Sequence, residues 1–229
     1  MTPAEWEALW LSVKVALACV AVLAIPGLLL GWLLARKQFI GKHVLVALIH
    51  IPLVVPPVVT GYLLLLVFGS RGVIGQWLES SLGFSLAFTW KAAVLASAVV
   101  AMPLMVRSVA IAVELVDRRI EDSARTLGAS PLRVLATVTL PLAAPGILSG
   151  LTLAFARSLG EFGATITFAG SIEGETRTLP LAIYNCIQSV GGDAPALRLV
   201  VVSVLVSAAA MVVSEILARR ARRRLGGTG

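Results

Sequence analysis

The sequence predicts an all-α integral membrane protein with about five helices that cross the bilayer. Hydrophobic residues make up 58% of the 229 residues and charged residues only 14%, whereas a soluble domain carries roughly a quarter charged residues. Apolar runs of about twenty residues are long enough to cross a hydrocarbon layer of about 30 Å. Such runs occupy residues 11–35, 44–68, 92–112, 142–168 and 199–218. Because these runs leave no room for a soluble domain, residues 1–229 are predicted to form a single membrane unit.

Basic residues predict the orientation of these spans, because cytoplasmic segments carry the excess of Lys and Arg. Cations follow the first run, four arginines lie in a polar segment at 117–141, and five crowd residues 219–224. The N-terminus is therefore predicted outside and the C-terminus in the cytoplasm, with outer loops at 69–91 and 169–198. The same residues account for the net charge of +7. We expect the C-terminal cluster to contact anionic lipid rather than nucleic acid.

Three prolines interrupt the second run, at Pro52, Pro56 and Pro57. Each removes a backbone donor, so the span is predicted to be kinked or locally unwound. Broken helices are tolerated at membrane depth where they line a cavity or pack against protein. Pro56 and Pro57 are therefore candidates for the wall or gate of a pathway, with a purely structural kink as the alternative.

The polar segment 117–141 predicts two short helices on the cytoplasmic side. Asp117 is placed to cap the first helix, Gly128 to end it, and Ser130 with Pro131 to begin the second. One apolar face of the first helix is formed by Ile120, Ala124 and Leu127. Helices of about ten residues or fewer are unstable alone in water. The segment is therefore expected to dock on another protein.

Two charged residues, Arg157 and Glu161, stand out in the fourth run. Their i, i+4 spacing predicts that they share one helix face. Ionisable residues at membrane depth are costly and usually face a cavity or a partner. The pair either lowers the barrier for an anion or forms a structural bridge at a subunit interface. It could also be the charged site of an ion-coupled transporter or channel. Thr165, one turn further, belongs to the same candidate path.

The outer segment 169–198 is too polar to span the bilayer. Thr178 is expected to cap a short amphipathic helix at about 179–189. With Thr176 and Arg177, the free N–H groups at this helix end could receive an anion. A lid or a docking surface for another protein is the alternative interpretation.

Several chemical signatures are missing from the sequence. It has no GxxxxGK[ST] phosphate loop, no GxSxG nucleophile motif and no metal-ligand spacing. Neither Cys19 nor Cys186 indicates a disulfide framework. The chain is therefore expected not to be an enzyme and to hold no cofactor, and any ATP chemistry must belong to a partner.

The polar segment resembles the cytoplasmic signature loop of ABC-importer permeases. That loop begins Glu-Ala-Ala, continues to a glycine and ends with a hydrophobic-x-Leu-Pro sequence; here Asp122, Ser123 and Ala124 stand at the triplet, with Gly128 at the glycine. Asp for Glu and Ser for Ala are mild departures. The resemblance implies a type I ABC importer permease fold, whose coupling helices dock in an ATPase cleft. The implied coupling residues are Glu121, Asp122, Ser123, Ala124, Leu127, Gly128, Ala129, Pro131, Leu140 and Pro141.

Three further segments, residues 50–61, 155–168 and 174–184, resemble one group within this family, the molybdate permeases. Sulfate and tungstate permeases are near relatives of that group. The resemblance implies ATP-driven import of molybdate across the inner (plasma) membrane of a prokaryote by alternating access. The implied partners are a second copy of the chain, two ATPase subunits that hold ATP and Mg²⁺, and an extracytoplasmic molybdate-binding protein.

Overall fold

A computed structural model describes residues 1–224, which form eleven α-helices joined by short loops and one π-helical turn. The helices are α1 Pro3–Arg36, α2 Lys42–Val54, α3 Pro57–Phe68, α4 Val73–Leu82, α5 Trp90–Glu114, α6 Arg118–Thr126, α7 Pro131–Val134, α8 Leu140–Leu159, α9 Gly163–Phe168, α10 Leu179–Gln188 and α11 Asp193–Arg224. The π turn, Leu135–Thr139, joins α7 directly to α8. The side chains of the basic cluster at 222–224 lie outside the described part of the chain, and their contact with lipid remains a prediction.

Four of the described helices are long and apolar enough to cross a membrane, and the bent pair α2–α3 makes a fifth if it counts as one span. The four are α1, α5, the continuous helix Pro131–Leu159 and α11. The predicted class of all-α membrane protein with about five spans is therefore confirmed.

The second predicted run is interrupted at its prolines, as predicted, and forms two helices, α2 and α3, whose axes meet at 114°. Pro52 is accommodated inside α2, whereas Pro56 caps α3 and Pro57 takes its first helical position. Proline suits that position, where its missing N–H would have no partner in any case.

The fourth run also differs from the prediction of one helix over 142–168. The helix begins earlier, at Pro131, and ends at Leu159. Gly160 interrupts the helical structure before α9 begins. The second short helix predicted for the polar segment is consequently the N-terminal part of this long helix. The π turn lies within this helix without ending it.

Helix α5 lies at the centre of the bundle and packs against both α1 and α8, which also contact each other. Leu23 of α1, Met105 of α5 and Ala154 of α8 belong to one buried apolar cluster. The approach of α8 is close, since a Cβ on Gly146 would overlap the Cβ of Ala112. Helix α11 is peripheral: only 11% of its apolar stretch is buried, against 56% for α5.

Two ion pairs agree with the predicted sidedness. Arg36, at the end of α1, contacts Glu121 of α6 with a separation of 2.9 Å. Glu5, at the start of α1, contacts Arg198 of α11, also at 2.9 Å. The ends of the chain segments predicted to share a side of the membrane therefore lie together.

Candidate functional site

The polar segment folds with the caps that its sequence predicts. Asp117 Oδ1 accepts a hydrogen bond of 2.9 Å from the N–H of Arg119 at the start of α6. Gly128 follows α6 with a φ of +87°, in the left-handed region that favours glycine. Ser130 Oγ accepts a hydrogen bond of 3.4 Å from the N–H of Arg133. The α6–α7 turn is therefore specified locally.

This turn and the adjoining helix α6 expose apolar side chains to solvent. Leu127 is 89% exposed and Leu132 is 78% exposed, and Ile120 on α6 is also exposed. Beside them, Arg125 and Asp122 form an exposed ion pair with a separation of 2.8 Å. Leucines presented at the tip of a polar segment indicate a protein-docking surface.

Glu121, one of the predicted coupling residues, does not belong to that exposed surface. It is buried, and Glu121 Oε1 accepts hydrogen bonds from Arg36 Nη2 at 2.9 Å and from Thr139 Oγ1 at 2.7 Å. The reason is geometric, since the inward face of α6 meets the end of α1 and the π turn. Leu140 and Pro141, also predicted as coupling residues, lie half-buried inside the continuous helix.

Arg157 and Glu161 are brought together as predicted, with Arg157 Nη2 lying 2.7 Å from Glu161 Oε2. The predicted reason, a shared helix face, is wrong because α8 ends at Leu159. The Glu161 side chain is almost fully buried, and its Oε1 accepts a hydrogen bond of 2.8 Å from the N–H of Ala164. Glu161 therefore joins the end of α8 to the start of α9.

The break in the second run lies against this same junction. A Cβ on Gly163 would lie 2.8 Å from the Cβ of Pro57, and one on Gly61 would lie 2.5 Å from the carbonyl oxygen of Ala164. Helices α3 and α9 therefore cross in backbone contact. Thr165 is buried at this crossing, so its side chain does not line an open path in this conformation.

The outer helix end predicted to receive an anion is occupied by protein groups. Thr176 is fully buried and its Oγ1 accepts from the N–H of Ile172 at 2.9 Å. Thr178 occupies the N-cap position without making a cap hydrogen bond. Instead, the N–H of Leu179 donates to Ser12 Oγ at 2.6 Å.

The remaining member of this predicted anion site is also engaged. Arg177 Nη1 donates to Glu173 Oε2 at 2.7 Å. The predicted cap by Thr178 is therefore wrong, because α1 supplies the capping group from a distant part of the chain.

Three residues of interest escaped the sequence analysis. Arg36 and Thr139 are the buried partners of Glu121, and their distance along the chain leaves no local spacing signal. Arg107 lies within α5 with an exposed side chain, and it forms no ion pair with the side chains that the structure describes. A cation inside an apolar run was a visible signal in this last case.

Residues 27–223 match the family model described as binding-protein-dependent transport system inner membrane component. The chain belongs to this family, the non-ATPase membrane subunits of ABC importers, and is a multi-pass bacterial inner-membrane permease. ATP binding and hydrolysis belong to a separate ATPase subunit, and uptake depends on a binding protein.

Individual members of this family are similar to the chain over most of its length. The chain is 51% identical over 226 residues to the molybdenum transport system permease protein ModB of Escherichia coli (strain K12), with 99% of each chain covered. It is 49% identical over 222 residues to ModB of Haemophilus influenzae, with 97% of each covered. Identity to the sulfate transport system permease protein CysW of Escherichia coli (strain K12) is 38% over 193 residues, which covers 82% of this chain and 66% of that one.

Solved structures support the fold. The MetNI methionine ABC transporter aligns with a TM-score of 0.68 at 17% identity, covering 96% of this chain and 99% of that one. A bacterial alginate ABC importer aligns with a TM-score of 0.74 at 14% identity, covering 96% and 80%. The predicted fold of an ABC importer permease is confirmed by these likenesses.

Proposed function

We propose that this chain forms the membrane pathway of an ATP-driven molybdate importer. The observation that carries the cargo assignment is the 51% identity to a molybdenum permease over nearly the full length of both chains. Identity to a sulfate permease is lower, at 38%, and extends over less of the chain. Molybdate and sulfate are both tetrahedral dianions, so sulfate and tungstate remain the competing cargoes.

The working assembly in this proposal contains two copies of the chain, two ATPase subunits and an extracytoplasmic molybdate-binding protein. The exposed leucines of the α6–α7 turn support an ATPase contact on the cytoplasmic side. Arg107 supports a second copy or a water-filled path beside α5, because an arginine directed into lipid at that depth is costly. The N-terminal region of α10, with Arg177 at its rim, is proposed as part of the outer surface that meets the binding protein.

The proposed mechanism is alternating access. Closure of the ATPase pair around ATP pushes on α6 and opens the path outward, and hydrolysis with product release resets it. This chain performs no covalent chemistry. Its part is to carry a mechanical displacement from the cytoplasmic turn to the helices around the path.

The junction of α3, α8 and α9 is proposed as a gate on this path. Pro56 and Pro57 set the break between α2 and α3, and Glu161 ties α9 to α8. The Arg157 guanidinium is half-buried and attracts a dianion, while the adjacent Glu161 carboxylate offsets its charge. A compensated arginine attracts the cargo without holding it too tightly for release.

The test is uptake into proteoliposomes that contain the chain with its ATPase, supplied with the binding protein outside and ATP inside. We expect ATP-dependent molybdate accumulation that excess unlabelled tungstate reduces and excess sulfate leaves nearly unchanged. The matched control omits ATP. Uptake of sulfate in preference to molybdate would overturn the cargo assignment, and accumulation by the chain without ATPase would overturn the importer mechanism.

A further inference from the structure

Helix α6 is attached to the rest of the permease through very little buried surface. Of its nine residues, Arg118–Thr126, only Glu121 is buried. Ala124 is half-buried, and the other side chains are exposed. Few side-chain contacts can therefore transmit a displacement of α6 to the membrane helices. Among the described contacts of α6, those of Glu121 are the strongest.

These contacts join α6 to two membrane helices at once. Glu121 Oε1 accepts from Arg36 Nη2 at 2.9 Å and from Thr139 Oγ1 at 2.7 Å. Arg36 Nη2 also donates to the carbonyl oxygen of Val116 at 2.9 Å, just before α6. One carboxylate oxygen thus links α6 to the end of α1 and to the π turn at the base of α8.

The three side chains of the cluster are largely buried, which strengthens each contact. The side chains of Arg36 and Glu121 are 9% and 5% exposed, and Thr139 is buried. Charge-assisted hydrogen bonds in such surroundings are stronger than neutral ones. All three residues line a cleft of about 440 Å³, which is also lined by Trp32 of α1 and by Arg118 and Asp122 of α6. Polar contacts rather than apolar packing therefore hold α6 to α1.

We propose that Arg36, Glu121 and Thr139 form a coupling clasp, which makes α6, α1 and the base of α8 move as one body when the ATPase displaces α6. The inference rests on the proposed importer function. Its three members are positioning residues: they contact neither cargo nor nucleotide, and they act by keeping the docking turn in register with the spans. The π turn contributes because its last residue, Thr139, supplies one of the two donors.

The test compares variants of the clasp in the complete transporter, reconstituted with its ATPase and binding protein. Glu121→Gln keeps the shape of the side chain but removes the charge that pairs with Arg36. Thr139→Val removes the hydroxyl donor, and Thr139→Ser retains it. For each variant we would measure copurification of the ATPase, ATP hydrolysis stimulated by the binding protein, and molybdate uptake.

We expect Glu121→Gln and Thr139→Val to assemble and to hydrolyse ATP within about twofold of the parent chain. Molybdate imported per ATP hydrolysed should fall by about tenfold. Loss of one hydrogen bond to a buried charge shifts the equilibrium between attached and detached α6 by about this factor. Thr139→Ser should restore the ratio. Glu215→Gln is the matched control, since it makes the same change in an exposed ion pair with Arg219 on α11.

Two outcomes would overturn the clasp. In one, uptake and ATP hydrolysis decline together with loss of the bound ATPase, which would show a role in folding or assembly alone. In the other, the double variant Arg36→Met/Glu121→Met imports molybdate at the parental ratio of molybdate to ATP. Apolar side chains can replace a buried ion pair without loss of stability. This variant therefore removes the polar contacts while the protein stays folded. Failure of the proposed function is distinguishable, since the parent chain itself would then import no molybdate with ATP.

Discussion

At the scale of single residues, two of the buried carboxylates, Glu121 and Glu161, connect neighbouring helices. Glu121 accepts from donors on α1 and on the π turn, and Glu161 contacts Arg157 at the end of α8 while it accepts from Ala164 in α9. Each carboxylate uses more than one partner, as buried ions must if their desolvation is to be offset. Loss of the arginine partner should therefore leave a buried carboxylate without a countercharge.

Arg157→Gln tests this expectation at the gate. The substitution leaves the Glu161 carboxylate, which is 1% exposed, without its cation. We expect the free energy of unfolding of the purified permease to fall by about 3 kcal/mol, with molybdate uptake reduced as well. Denaturation of the detergent-solubilised chain measures the first and proteoliposome uptake the second.

Arg177→Gln is the matched control for stability. Its ion pair with Glu173 has the same i, i+4 spacing and the same 2.7 Å separation, but the carboxylate there is 59% exposed. A loss of less than about 1 kcal/mol is expected. Equal losses in the two variants would contradict the role assigned to burial at Glu161.

At the scale of elements, the helices begin and end where local chemistry directs, but their continuity depends on their neighbours. The caps at Asp117 and Ser130 follow from side-chain chemistry alone, and both were predicted. The end of α8 at Leu159 was not predicted, because Gly160 and Glu161 form a helix boundary only when Glu161 contacts Ala164 and Arg157. Likewise, the π turn shows no distinctive residue pattern in the sequence.

Gly128→Val tests the turn between α6 and α7. A β-branched residue at a φ of +87° is strained by about 1–2 kcal/mol, so the turn should shift and displace the exposed leucines that precede and follow it. We expect ATPase copurification to weaken and ATP-driven uptake to be lost. Affinity capture of the complex and uptake assays measure the two effects.

Gly83→Val supplies the same strain on the outer side, since Gly83 has a φ of +61° and open space around it, as Gly128 does. This variant should retain ATPase binding. If Gly128→Val imported molybdate at the parental rate, the docking function of the turn would be refuted.

At the scale of the whole molecule, the bundle is organised around α5, with α1 and α8 packed against it and α11 at the periphery. The large exposed apolar surface of α11 suits lipid or a second copy of the chain. The close approach of α8 to α5 depends on Gly146, where no side chain fits beside Ala112. This packing holds the base of α8, and with it the coupling clasp, in position.

Gly146→Leu should separate α8 from α5 and lower the yield of folded permease. An overpacked core costs about 1–3 kcal/mol, and here the obstacle is the small side chain of Ala112, which cannot turn aside. Gly160→Ala is the control, because a Cβ there meets nothing closer than 3.9 Å. Size-exclusion profiles and melting temperatures of the two purified variants provide the comparison, and similar profiles would argue against a close-packed α5–α8 contact.

The sequence by itself determined the membrane class, the approximate positions of the spans, the cytoplasmic docking turn and its caps. These features depend on composition and on residues within one helical turn of each other. Only the tertiary structure decided that Glu121 is buried between α6, α1 and the π turn, because Arg36 lies 85 residues away and Thr139 lies 18 away. It also decided that Arg157 and Glu161 meet across a helix break, and that Ser12 of α1 caps α10. Contacts between distant segments leave no periodic signal in the chain, so they emerge only when the helices are packed together.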